Sequence, residues 1–125
     1  MTIKLKRVYE GPEKERGDGK RYLVERLWPR GMKKEALDHD GWVKDIAPST
    51  QLRKWFGHDP ERWPEFKKRY RAELKEHEKN EASEEIDTLL KAARRGNLTL
   101  LYSAKDTEQN SAIVLREYLE KRLKE

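Results

Sequence analysis

Ile3, Leu5 and Val8 alternate with Lys4, Lys6 and Arg7 at the start of the chain, the period of a half-buried strand. Gly11-Pro12 ends that segment, and a polar loop rich in Lys, Glu and Gly runs to Lys20. Tyr22–Leu27 predicts a second strand, stopped by Trp28-Pro29-Arg30-Gly31 because Pro29 has no N–H to give to a ladder. Leu98–Tyr102 is a nearly continuous apolar run, as expected of a strand in the middle of a parallel sheet. The link between the first two strands is short for a parallel crossover, so their pairing sense stays open.

Between these strands the apolar spacing turns helical. Trp42, Val43 and Ile46 predict a short helix ended by Pro48, and Ser49 is a suitable N-cap for another that buries Leu52, Trp55 and Phe56 and stops at Gly57. Asp59-Pro60-Glu61 has the order expected where a longer helix opens, with Trp63, Phe66, Tyr70 and Leu74 as its buried stripe. Pro64 breaks that pattern by removing one hydrogen bond, so the helix either starts late or bends. Lys75–Ala82 reads as a solvated helix end or a linker. Ser83-Glu84-Glu85 then opens a helix buried through Ile86, Leu89, Leu90 and Ala93 and closed by Arg94, Arg95 and Gly96. A last helix follows, with Asp106 as expected N-cap, Gln109 three residues on, and Ala112, Leu115, Tyr118 or Leu119, and Leu123 inward. The fold class expected is α/β: one small domain over residues 1–125, with a short, mostly parallel sheet of about three strands flanked by helices.

Composition narrows the picture. With 34% apolar and 42% charged residues the core is lean, yet 125 residues suffice for one domain. Zero cysteines exclude disulfides, thiolate chemistry and Cys-ligated metal. No apolar run resembles a signal peptide or a membrane span, which favours a cytoplasmic location. Abundant Lys and Glu with few Asn, Gln and Met resemble thermophilic usage. The net charge is +5, but residues 1–34 alone carry +6, so the surplus sits with the Trp28–Gly31 segment.

Ligands of α/β proteins sit at the carboxyl ends of strands. If the second strand lies parallel to Leu98–Tyr102, Arg26, Trp28 and Arg30 meet Tyr102, Ser103, Lys105 and Asp106, and Asn110 at the final helix can face the same crevice. Arginines and helix N-termini both favour anions. The structural alternative pairs Arg26 with Asp106 or Glu25 and makes Trp28 a core lid. Tyr102 and His58 are the candidate proton carriers, although His58 also fits a turn residue at a helix start. Asp38-His39-Asp40 has neither the spacing nor a second His for a metal, and Gly17-Asp18-Gly19 lacks the elements of a phosphate loop. No metal is expected, and the residues name no cofactor.

Taken together, Tyr22–Gly31, Ala47-Pro48-Ser49, Leu52–Pro60, Arg69–Leu74 and Leu100–Asp106 resemble the YeaO-like branch of the DUF488 family over nearly the whole chain. That resemblance implies a single cytoplasmic α/β domain and supplies no reaction. Other branches of the family carry a cysteine after the last strand and a Cys-His-Arg run at the final helix. By that resemblance, Tyr102 and Asn110-Ser111-Ala112 occupy those places here, which speaks against the thiol or metal chemistry of those branches for this chain. The leading reading is a small anionic ligand held by Arg26 and Arg30 with Lys105 and Asn110 assisting. The rival readings are a nucleic-acid module using Lys4, Lys6, Arg7, Lys33 and Lys34, and a scaffold recognised through exposed aromatics.

Overall fold

A computed structural model describes residues 2–80 and 82–125. Four parallel strands form one sheet in the order β1-β4-β2-β3, with β1 at Ile3–Arg7, β2 at Lys20–Leu23, β3 at Gly41–Trp42 and β4 at Leu98–Tyr102. The apolar run of β4 is central and wholly buried, as its sequence predicts. The first two strands do not pair with each other; both flank β4, which separates them and settles the question of their sense. The second strand is shorter than expected and ends at Leu23, although the Val24 amide still reaches the Leu101 carbonyl at 3.1 Å.

Trp42 corrects the sequence reading, because the expected short helix there is strand β3 followed by turns. Backbone pairing decides this. Asp40 and Val43 donate to the carbonyls of Arg21 and Leu23, and Gly41 lets the edge close against the Tyr22 ring, where an added Cβ would lie 2.9 Å from a ring carbon.

Helices α1 (Thr50–Phe56), α2 (Trp63–His77), α3 (Ser83–Arg95) and α4 (Ser111–Lys124) share one continuous core with one face of the sheet. Ser49 caps α1, and Gly57 ends it in the left-handed region. Asp59 caps a single 3-10 turn, Pro60–Arg62, and α2 starts only at Trp63. The late start resolves Pro64, which falls in the first turn where its missing N–H costs no helical bond. The N-cap of α4 lies four residues beyond the expected one. The cap is Asn110, whose Oδ1 accepts from Ile113 at 3.1 Å; Asp106 caps an isolated turn instead, accepting from the amides of Glu108 and Gln109.

Among the described residues the opposite face carries no α-helix, although a parallel sheet needs cover on both sides. Two loops provide it. Val8, Leu23, Leu37 and Leu101 make a small apolar cluster there with Trp28, Met32 and Trp42 against it. Beside them Arg21 is 1% exposed and uses all five guanidinium N–H groups. Its donors reach Asp18 Oδ2 at 2.7 Å and the carbonyls of Gly11, Pro12, Glu13 and Asp38. Lys6 Nζ closes the other side of Asp18 at 2.6 Å from Oδ1. Burial by itself would raise the Asp18 carboxyl; Lys6, the Glu15 amide and Arg21 together hold it well below the usual carboxylate range. Gly19 lets this loop re-enter the sheet, with φ at +66° and an added Cβ only 1.9 Å from the Asn97 carbonyl oxygen.

Candidate functional site

The carboxyl ends of β2 and β4 lie side by side and open into a crevice of about 320 Å³. Its walls are the loop after Ile46 and the loop after Tyr102, and neighbouring residues hold each wall. Glu25 accepts from both the amide and the hydroxyl of Ser103, the latter at 2.6 Å. Arg7 Nε secures the same loop through the carbonyls of Ser103 and Ala104. On the other side Arg26 donates to the carbonyls of Ala47 at 3.0 Å and Pro48 at 3.2 Å. Tyr70 donates its hydroxyl to the Ile46 carbonyl at 2.7 Å. Glu85 accepts from the Ile46 amide, and Glu73 from the amide and hydroxyl of Ser49. Five of the seven polar backbone groups from Ile46 to Ser49 are thus bound by side chains, and a wall so held is pre-organised.

The lining is apolar at its base and cationic at its rim. Phe56, Phe66, Pro29, Ala47 and Pro48 are buried apolar surfaces of the crevice, and Trp28 closes one side. Trp28 is itself fixed by donating to the Met32 carbonyl at 2.5 Å and packing edge-on against Trp42. Arg26, Arg30, Arg53 and His58 contribute the basic groups. Among the described residues no carboxylate forms an ion pair with any of these three arginines. The acid in the lining, Glu25, has both oxygens engaged by Ser103. His58 adopts φ of +59°, a strained conformation for a side chain with a Cβ, directly after the left-handed Gly57. Ser111, the first residue of α4, completes the rim beside Asn110.

Of the residues picked out from the sequence, Arg26, Trp28, Arg30, His58, Ser103 and Asn110 converge on this crevice. Tyr102, Lys105 and Asp106 are not part of its lining. Tyr102 faces the helical core, where burial raises its hydroxyl pKa and the Glu10 charge adds to the effect. Asp106 is exposed; the amides of Glu108 and Gln109 lower its carboxyl pKa, and the nearby His58 charge adds to that. The anticipated pairing of Arg26 with Asp106 or Glu25 does not occur, since Arg26 binds carbonyls and Glu25 binds Ser103. Arg53 and Ser111 escaped the sequence reading. Arg53 lies on the polar face of α1, and only the folding of α1 over the strand ends brings it to the site. The side chains of Asp38, His39 and Asp40 hydrogen-bond separately to the Lys14 amide, the Leu37 carbonyl and the Arg21 amide. The basic N-terminal set is partly consumed as well, Lys6 by Asp18 and Glu15, and Arg7 by the loop carbonyls.

The family model for the inactive DUF488-N3 subclade, DUF488-N3i, matches residues 2–125. The chain belongs to this family. Its curated relatives include the uncharacterized protein YeaO of Escherichia coli (strain K12), 48% identical over 119 residues that cover 95% of this chain and 97% of YeaO. The uncharacterized protein Rv3073c of Mycobacterium tuberculosis (strain ATCC 25618 / H37Rv) is 36% identical over 117 residues, covering 94% of this chain and 92% of that protein. No solved structure matches. The resemblance to the YeaO-like branch read from the motifs of this chain therefore holds over nearly all of it. Among the described residues no helix is long and apolar enough to cross a membrane.

Proposed function

We propose that this DUF488-N3i protein binds a small organic anion in the crevice at the carboxyl ends of β2 and β4. One observation carries the reading. Three guanidinium groups and an imidazole line a crevice of about 320 Å³ whose acid, Glu25, is already committed to Ser103. Arg30, Arg53 and His58 hold the anionic group, Ser111 and the free amides at the start of α4 assist, and the apolar body of the ligand lies against Trp28, Pro29 and Phe56. Arg26 contributes positive field while its hydrogen bonds shape the wall. The hydroxyl–carboxylate contact in the lining, Ser103 to Glu25, also engages the Ser103 amide, and we assign it to holding the wall. The description of the family as inactive accords with binding without turnover.

Titration calorimetry with phenyl phosphate, benzoate and inorganic phosphate tests the proposal. Saturable binding is expected, tighter for the ring-bearing anions than for inorganic phosphate and weakened about tenfold or more by the double variant Arg30→Ala/Arg53→Ala. Binding of none of the three, or affinities that ignore that variant, would refute it. Recovery of phenyl phosphate unchanged after prolonged incubation is the expected sign of binding without hydrolysis.

A further inference from the structure

At the other end of the sheet, where β2 and β4 begin, the surface opens into a second cavity of about 480 Å³. It lies between the start of β2 and the last turns of α3, and β2, at four residues, separates it from the crevice by roughly 13 Å of strand. Lys14 and Lys20 stand on one side, Lys91 and Arg95 on the other, and among the described residues no acid lines the space between them. Asp40, whose carboxylate accepts from the Arg21 amide, comes within 3.9 Å of Lys20 with both side chains exposed, a distance at which the pair contributes little. The floor is apolar: Tyr22 and Ala92, both half-buried against the main core, lie beneath the four cations.

The fold explains only part of this charge. Arg95 in the last turn of α3 satisfies the negative end of the helix dipole. Lys91 lies one turn earlier on the same face, and like charges at that spacing disfavour a helix. Lys14 and Lys20 come from a loop and a strand and answer no helix terminus. Four like charges around one concavity repel each other unless a multiply charged anion occupies it.

We propose that this cavity is a second, independent ligand site for an oligophosphate group, carried either by a free inorganic chain or by a nucleotide. A cavity of this size accommodates a small molecule. Ammonium groups suit phosphate as mobile point charges, whereas Arg95 offers a planar fork to two oxygens at once. The exposed flat side of the floor, made by Tyr22 and Ala92, is where a ring attached to the phosphates would rest.

The test titrates the full chain with sodium tripolyphosphate and, separately, with ATP, at low and at moderate salt. Saturable binding at one site per chain is expected, weakening as salt rises. Reversing either wall, with Lys91→Glu/Arg95→Glu or with Lys14→Glu/Lys20→Glu, is expected to weaken it by about tenfold or more. All four side chains are on the surface, so circular dichroism should show both variants folded. Arg30→Ala/Arg53→Ala, which removes cations only from the crevice, should leave the affinity unchanged, so this proposal and the one for the crevice fail separately. Tighter binding of ATP than of tripolyphosphate assigns the site to nucleotides; equal binding assigns it to the phosphate chain. Saturable binding of neither probe, binding that survives both wall reversals, or equal loss in the crevice variant overturns the proposal.

Discussion

Glu25 and Arg26 are adjacent in sequence and hold opposite walls of the same crevice. Glu25 takes the amide and hydroxyl of Ser103, and Arg26 takes the carbonyls of Ala47 and Pro48. Both residues lie just beyond the end of β2, where the chain passes between the two walls. A single dipeptide thus sets the width of the site.

Removing either residue should cost stability rather than ligand contacts alone. Arg26→Ala strands partly buried carbonyls, and Glu25→Ala strands the Ser103 amide, at about 1–3 kcal/mol for each group left without a partner. Arg26→Lys should recover only part of the loss, because one ammonium cannot span both carbonyls as the planar fork does. Arg30→Ala, whose side chain is exposed, should leave stability within about 0.5 kcal/mol of the parent. Urea denaturation of the four variants checks this order.

The Asp18 cluster predicts a particular dependence on pH. The carboxyl has a folded pKa below its unfolded value, so its stabilisation is complete above the unfolded pKa of about 3.9 and fades as pH falls through the folded one. Lys6 is raised by its bonds to Asp18 and Glu15, so its contribution is complete below about 10.4 and fades as pH rises through the folded value. Asp18→Asn leaves Arg21 buried without its counter-charge and should cost about 3–5 kcal/mol at neutral pH. The gap between variant and parent should narrow below about pH 4. Denaturation series from acid to alkaline pH would show a flat difference if the account is wrong.

His58 holds a positive φ where glycine would be at ease. His58→Gly should therefore be neutral to stabilising, by up to about 1 kcal/mol after the entropy cost of glycine is counted. The same change should weaken phenyl phosphate binding in the crevice. Greater stability with weaker binding is the signature of strain kept for function; loss of stability would point to a purely structural turn.

Thermal unfolding is expected above about 70 °C, beyond the range usual for mesophilic domains. The composition suggests it, and networks rather than isolated pairs support it. Lys6, Glu15, Asp18 and Arg21 form one network, and Glu78 joins Tyr118 and Arg122 in another. Calorimetry at low and high salt tests both the temperature and the electrostatic cause.

Periodicity made most elements legible. The buried stripes of α2 and α3, the Ser49 cap, the Gly57 stop and the central place of β4 all follow from local patterns, because burial and capping act over a few residues. Trp42 misled because a two-residue edge strand has too little sequence to show a period, and its pairing partner lies in β2. Asp106 misled because an Asx turn and a helix cap use the same side-chain chemistry, and Asn110, four residues on, is the one followed by packing residues.

By itself the amino-acid sequence determined the α/β class, the central strand, the strand-end signature from Tyr22 to Gly31 and the family. These depend on local propensity and hydrophobic pattern. Only the tertiary structure decided that Arg26 serves carbonyls while, among the described residues, Arg30 and Arg53 have no acid partner, that Asp18 and Arg21 form a buried pair, and that Lys14 and Lys20 share a cavity with Lys91 and Arg95. Partners for charged groups are chosen across the fold, where chain separation sets no limit and only distance and exclusion of water count.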